Sequence, residues 1–63
     1  MSDKPITVNF HDLTENQAGQ IIVRRVGDNV AICVTLEEDG DIEVLVERKT
    51  VEKLNQALVS VIE

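Results

Sequence analysis

The sequence has few of the residues from which catalytic, metal and aromatic binding sites are usually built. It contains no Trp or Tyr, one Phe, one Cys and one His among 63 residues. A single Cys excludes a disulfide within the chain, and one Cys with one His falls short of a zinc-ligand set. The lack of aromatic side chains disfavours ligand pockets and base-stacking surfaces. We therefore expect no cofactor and no metal, and a protein that is not an enzyme.

Positive charge and long apolar runs are scarce too. Six Lys and Arg stand against 12 Asp and Glu, which gives a formal net charge of −6. This charge disfavours nucleic acid and anionic lipid as partners and favours a basic protein. No apolar run approaches the length of about 18 residues that a membrane span needs, and residues 1–5 lack an apolar signal segment. The expected location is cytoplasmic, without a membrane partner, and the unpaired Cys33 fits a reducing compartment.

What the sequence does contain is a pattern typical of an antiparallel β-meander. Apolar or alternating runs are separated by turn segments that include Gly27 and Gly40. Pro5 precedes the first run, which suits an edge strand. The predicted strands are residues 6–10, 20–26, 30–36 and 42–47.

A C-terminal helix is predicted from Thr50, a typical N-cap residue. Val51, Leu54, Leu58 and Val61 follow at helical spacing, so this stripe should cover one face of the sheet. The fold class is therefore α+β: a small antiparallel β-meander of three to four strands with one C-terminal α-helix packed on one face. Residues 1–63 form a single domain, with residues 1–4 as a flexible tail.

Two connections are less regular. Residues 11–19 look too polar and too long for a tight hairpin, and the capping-box spacing of Asp12 and Glu15 predicts a short helical turn that ends at Gly19. A loop of residues 38–40, with Gly40 at positive φ, best joins the last two strands.

That loop sets the register of the last hairpin, and register decides which side chains share a face. It pairs apolar residues with one another and places them on the face that the helix should cover. The predicted pairs are Leu36 with Ile42, Val34 with Val44, and Ile32 with Val46.

The opposite face is less polar than a solvated sheet face usually is. A chain of about 60 residues buries only about 60% of its unfolded surface, and with a disulfide and a metal site both disfavoured, self-association is the remaining source of further burial. We interpret this face as a homo-oligomer interface, most simply of a dimer, although scattered exposed apolar side chains are ordinary in monomers. The predicted interface residues are Ile22, Arg24, Val26, Cys33, Leu45 and Val59.

Acidic side chains cluster around the last turn. Their spacing does not match a calcium-binding loop, and a solvated turn is one interpretation. The other interpretation is a docking surface for a basic partner. The residues concerned are Glu37, Glu38, Asp39, Asp41 and Glu43.

No group of residues predicts catalysis. His11 lies near Asp12 and Glu15, but a lone loop histidine is more often solvated than catalytic. Cys33 lies in the most apolar strand and should be buried and inert. Arg24 and Arg25 are adjacent in a strand, so they point to opposite faces and cannot grip one phosphate within a monomer.

The order of four strands and then a helix is similar to that of small single-stranded DNA binders of the transcription-cofactor type. Their surfaces use basic and aromatic groups, which this sequence largely lacks, and topology alone does not transfer function. The sequence favours a non-catalytic regulatory or inhibitory protein that acts as a homo-oligomer on a basic partner. The alternative is a nucleic-acid or nucleotide-binding module whose site forms between subunits, using Arg24 or Arg25 from several copies.

Overall fold

The strand-forming runs and the apolar helical stripe produce four antiparallel strands and one helix in the computed structural model, which describes residues 4–63. Each strand pairs with its neighbours in sequence, in the order β1-β2-β3-β4, and the helix packs against the sheet. The predicted α+β meander is confirmed. Of the predicted flexible tail, residues 1–3 lie outside the described residues. The elements are β1 (Ile6–Asp12), β2 (Gln17–Val26), β3 (Asn29–Leu36), β4 (Gly40–Glu47) and α1 (Arg48–Ile62).

The first connection is a hairpin, and the predicted helical turn is wrong. Asp12 pairs with Gln17, so only residues 13–16 form the loop, and Asn16 has a positive φ of 53°. Gly19 lies inside β2, opposite Phe10. Strand pairing continues through the polar residues of this segment because it satisfies backbone groups that a single helical turn would leave open.

The second hairpin turns at Gly27, within the turn segment that the sequence predicts. Val26 pairs with Asn29, which leaves a two-residue turn, and Gly27 has a φ of 61°. Ile21 consequently lies opposite Val34, so odd residues of β2 share a face with even residues of β3.

The third hairpin keeps the predicted faces but not the predicted pairs. Val34 lies opposite Ile42 and Ile32 opposite Val44, a shift of two residues from the expected register. Gly40 has the expected positive φ of 82°, but it is already the first residue of β4 and pairs with Leu36. Because the shift is an even number, every side chain stays on its predicted face.

Helix α1 begins two residues before Thr50, so the predicted N-cap is wrong. Glu47 is the N-cap residue and makes no side-chain capping hydrogen bond. Glu47 is also the last residue of β4 and pairs with Asn29, so the end of strand pairing sets the start of the helix. The helix contacts β3 and β4, and Val51 is its only half-buried residue.

Candidate interaction surfaces

One face of the sheet, which we call the front face, is apolar across all four strands. Two complete rows of β-branched residues cross it, and no side chain in these rows is buried. Val44, for example, is 47% exposed. The rows are Ile6, Val23, Ile32 and Val44, and Val8, Ile21, Val34 and Ile42; Phe10, Val30, Leu36 and Val46 extend the same face.

The apolar stripe of the helix is also open. Leu54, Leu58 and Val61 are all exposed, and Leu58 is 57% accessible. The expectation that this stripe covers the front face is therefore not met, although the helix packs against the sheet. Val51, near the start of the helix, is half-buried, and the apolar side chains of the later turns are exposed.

These open surfaces give the chain a large area for its mass. A compact 7.0 kDa protein exposes about 4,000 Å², whereas this chain exposes 5389 Å². The radius of gyration is 12.9 Å, compared with about 10.6 Å for a compact domain of this length. Among the apolar side chains of residues 4–63, only that of Ala31 is buried. The described chain has two apolar surfaces and very little core between them.

The opposite face, which we call the back face, carries both polar and apolar side chains. Arg24 Nη2 lies 3.6 Å from Glu43 Oε2, and the Gln20 side chain donates to Asn9 at 2.9 Å. Of the predicted interface residues, three are half-buried and three exposed, and Val59 lies on the helix. This interface stays a prediction. The half-buried residues are Ile22, Val26 and Cys33; the exposed ones are Arg24, Leu45 and Val59.

A buried glutamine joins the two hairpin loops at one end of the sheet. Gln17 is 4% exposed, and its amide donates to Asp39 at 2.7 Å and to Asp12 at 3.4 Å. Its carbonyl oxygen accepts a hydrogen bond of 2.9 Å from the backbone N–H of Glu38. Sequence reasoning missed Gln17, since nothing in its local pattern distinguishes it from a solvated loop residue.

This arrangement brings more negative charge together than the last turn alone contains. We call the two loops with their flanking acids the acidic end of the sheet. Two of the predicted acidic residues, Asp41 and Glu43, instead follow the back face of β4, and Glu43 is already paired with Arg24. The acidic end comprises Asp12, Glu15, Glu37, Glu38 and Asp39.

The other end of the sheet carries two arginines. Arg25, opposite Val30 on the front face, and Arg48, at the start of the helix, line a depression of about 310 Å³ beside the β2–β3 turn. Asp28 and Asn29 complete its wall. Arg24 lies on the back face, so the predicted separation of the two neighbouring arginines is confirmed.

The residues considered for chemistry are engaged in local structure. His11 Nε2 lies 2.7 Å from Asn16 Oδ1, and Asp12 accepts a hydrogen bond from the Thr14 backbone at 3.0 Å. Cys33 is half-buried rather than buried, with its Sγ 3.6 Å from Thr35 Oγ1. Within residues 4–63, no three His, Cys, Asp or Glu side chains are grouped to hold a metal ion.

Comparisons with protein-family models, with curated proteins and with solved structures found no match. The single helix of the described chain is neither long nor apolar enough to cross a membrane.

Proposed function

We propose that this protein is a small, non-catalytic regulatory or inhibitory protein that acts as a homo-oligomer and binds a basic partner protein through its acidic end. The observation that carries the proposal is the contact of Gln17 with both hairpin loops. It holds Asp12 and Asp39 around one amide group, although they come from different hairpins.

Fixed carboxylates bind a basic surface better than mobile ones. Ordering side chains and loops costs free energy on binding, and a surface that is already ordered avoids part of that cost. The acidic end is ordered in the free protein because the backbone N–H of Glu38 and the carboxylate of Asp39 are both held by Gln17. Glu37 and Glu38 remain exposed for contact.

The test is binding to a lysine-rich peptide, measured by isothermal titration at low and at physiological salt. The double variant Glu37→Gln, Glu38→Gln removes two charges from the acidic end without touching a structural hydrogen bond of Gln17. It should weaken binding about tenfold, since electrostatic complementarity is local to the contact.

A matched control distinguishes binding at the acidic end from a general effect of the net charge of the protein. The double variant Glu52→Gln, Glu63→Gln removes the same charge from the helix and its C-cap residue, and both residues are exposed. It should leave the affinity within about twofold, because charges beyond a Debye length of about 8 Å are screened. Equal weakening by both pairs, or no binding of the peptide at all, would refute the acidic end as a docking site.

A second candidate function is binding of a nucleotide or of nucleic acid between subunits. The depression lined by Arg25 and Arg48 favours it, because two guanidinium groups suit phosphate and a second copy would add two more. Thermal-shift measurements with a nucleoside triphosphate should then show stabilisation that Arg25→Ala abolishes. Arg24→Ala, on the back face, is the matched control, and a flat response at low salt would exclude this candidate.

A further inference from the structure

The front face is apolar across all four strands, and its charged strand residues lie at its ends, Arg25 at one end and Asp12 at the other. Isoleucines and valines of the two central strands stay half-buried there, where a covered sheet would bury them. We infer that a second copy of this chain covers the front face and the exposed helix stripe, so that two front faces complete one hydrophobic core. This inference rests on the homo-oligomeric part of the proposed function and assigns its surface.

The area fits a second copy. Each chain exposes roughly 1,350 Å² more than a compact protein of its mass, so a dimer that covered this excess would bury roughly 2,700 Å² in total. Stable homodimers bury about 2,000–5,000 Å², and their interfaces resemble a domain core cut in half. A small ligand would cover only a fraction of this surface.

The shape and charge of the face also fit a second copy. Two sheets with apolar inner faces stack about 10 Å apart, with β-branched side chains interdigitating. A two-fold axis places the same patch on both sides of the interface, so the patch must be able to pack against an identical copy of itself. The front face meets that requirement, since the acidic end lies at the sheet terminus and the Arg24–Glu43 pair lies on the back face. A copy can therefore approach without opposing the carboxylates that dominate the net charge.

The first test is cysteine accessibility in the folded protein, since β4 offers a matched pair of neighbours. Val44 points to the front face and Leu45 to the back face, and both are open in the single chain at 47% and 58%. In a Cys33→Ser background, Val44→Cys should react with a maleimide at least about tenfold more slowly than Leu45→Cys, because the interface excludes water and reagent. Equal rates would overturn the inference.

The second test changes the oligomer. Native mass spectrometry and sedimentation should show the wild type as a dimer at micromolar concentration, and a monomer would overturn the inference. Val44→Asp should dissociate the dimer or prevent folding, because it introduces an unpaired carboxylate at the interface. Leu45→Asp should remain dimeric. A dimer that survives Val44→Asp, or one that Leu45→Asp abolishes, would instead assign the interface to the back face.

The helix stripe is tested separately. Leu58→Asp should raise the dimer dissociation constant at least about tenfold, whereas Gln56→Asp, on the same helix but outside the stripe, should change it less than about twofold. Equal effects would remove the helix from the interface. None of these measurements involves the acidic end, so a failure of peptide binding and a failure of front-face pairing are distinguishable.

Discussion

Gly19 illustrates how a single residue takes its role from its neighbour across the sheet. Its φ is not among the positive values, so it does not serve as a turn residue. Its function is to leave room: a Cβ at this position would lie against the Phe10 ring, 2.8 Å from both Cε atoms. An aromatic ring covering a strand glycine is a recognised means of fixing register. Phe10, the only aromatic residue, is thereby used for packing.

Gly19→Ala is predicted to destabilise the protein by about 1–3 kcal/mol, because the ring must leave its position to admit one methyl group. Urea unfolding monitored by circular dichroism measures the change. Phe10→Leu in the same chain is the diagnostic partner. The double variant should lose clearly less than the sum of the two single variants, since the clash disappears with the ring. Additive losses would show that the ring does not rest on Gly19.

At the scale of elements, the start of the helix was set by the sheet and not by the best capping residue. Thr50 has the better local signal, but β4 pairs with β3 up to Glu47, and the chain enters the helix at the next residue. The junction contains no loop. A capping side chain contributes about 1 kcal/mol, which strand pairing over several residues can outweigh.

Thr50→Ala is therefore predicted to leave stability unchanged or to raise it by up to about 0.7 kcal/mol, because Ala is the better residue inside a helix. Loss of a true N-cap would cost about 1 kcal/mol. Glu47→Asp is the companion variant, since a shorter carboxylate can accept a hydrogen bond from the first turn and should stabilise the helix. Thermal unfolding of the wild type, Thr50→Ala and Glu47→Asp shows which of the two residues is the N-cap. A clear loss of stability in Thr50→Ala would contradict the observed start of the helix.

For the whole molecule, the single chain buries few apolar side chains, so we expect its folding to depend on association. An obligate dimer unfolds at a temperature that depends on protein concentration. With an unfolding enthalpy of about 0.7 kcal/mol per residue, the midpoint of a dimer of this size should rise by about 6 °C for each tenfold increase in concentration. Differential scanning calorimetry at about 5 and about 50 μM, a tenfold range, would measure this shift. A constant midpoint would indicate a stable monomer and would count against self-association.

Local patterns were enough for the fold class and for the position of the turn between β2 and β3. Alternation assigned the faces of β2, β3 and β4, and the positive φ values of Gly27 and Gly40 follow from turn geometry. Face assignment survived the wrong register of the third hairpin, because a shift of two residues preserves the period of two. The acidic residues of the last turn could likewise be identified as a cluster from composition.

Tertiary structure alone decided the rest, because these outcomes depend on groups that are distant in sequence. The β1–β2 hairpin displaced a helical turn once backbone pairing was possible, and Gln17 joined Asp12 to Asp39 across two loops. The spacing of apolar residues in the helix also could not predict whether the helix covers the front face. The same apolar stripe can pack against the sheet of its own chain or against a second copy. Only the direction of the chain after Glu47 decides which of the two occurs.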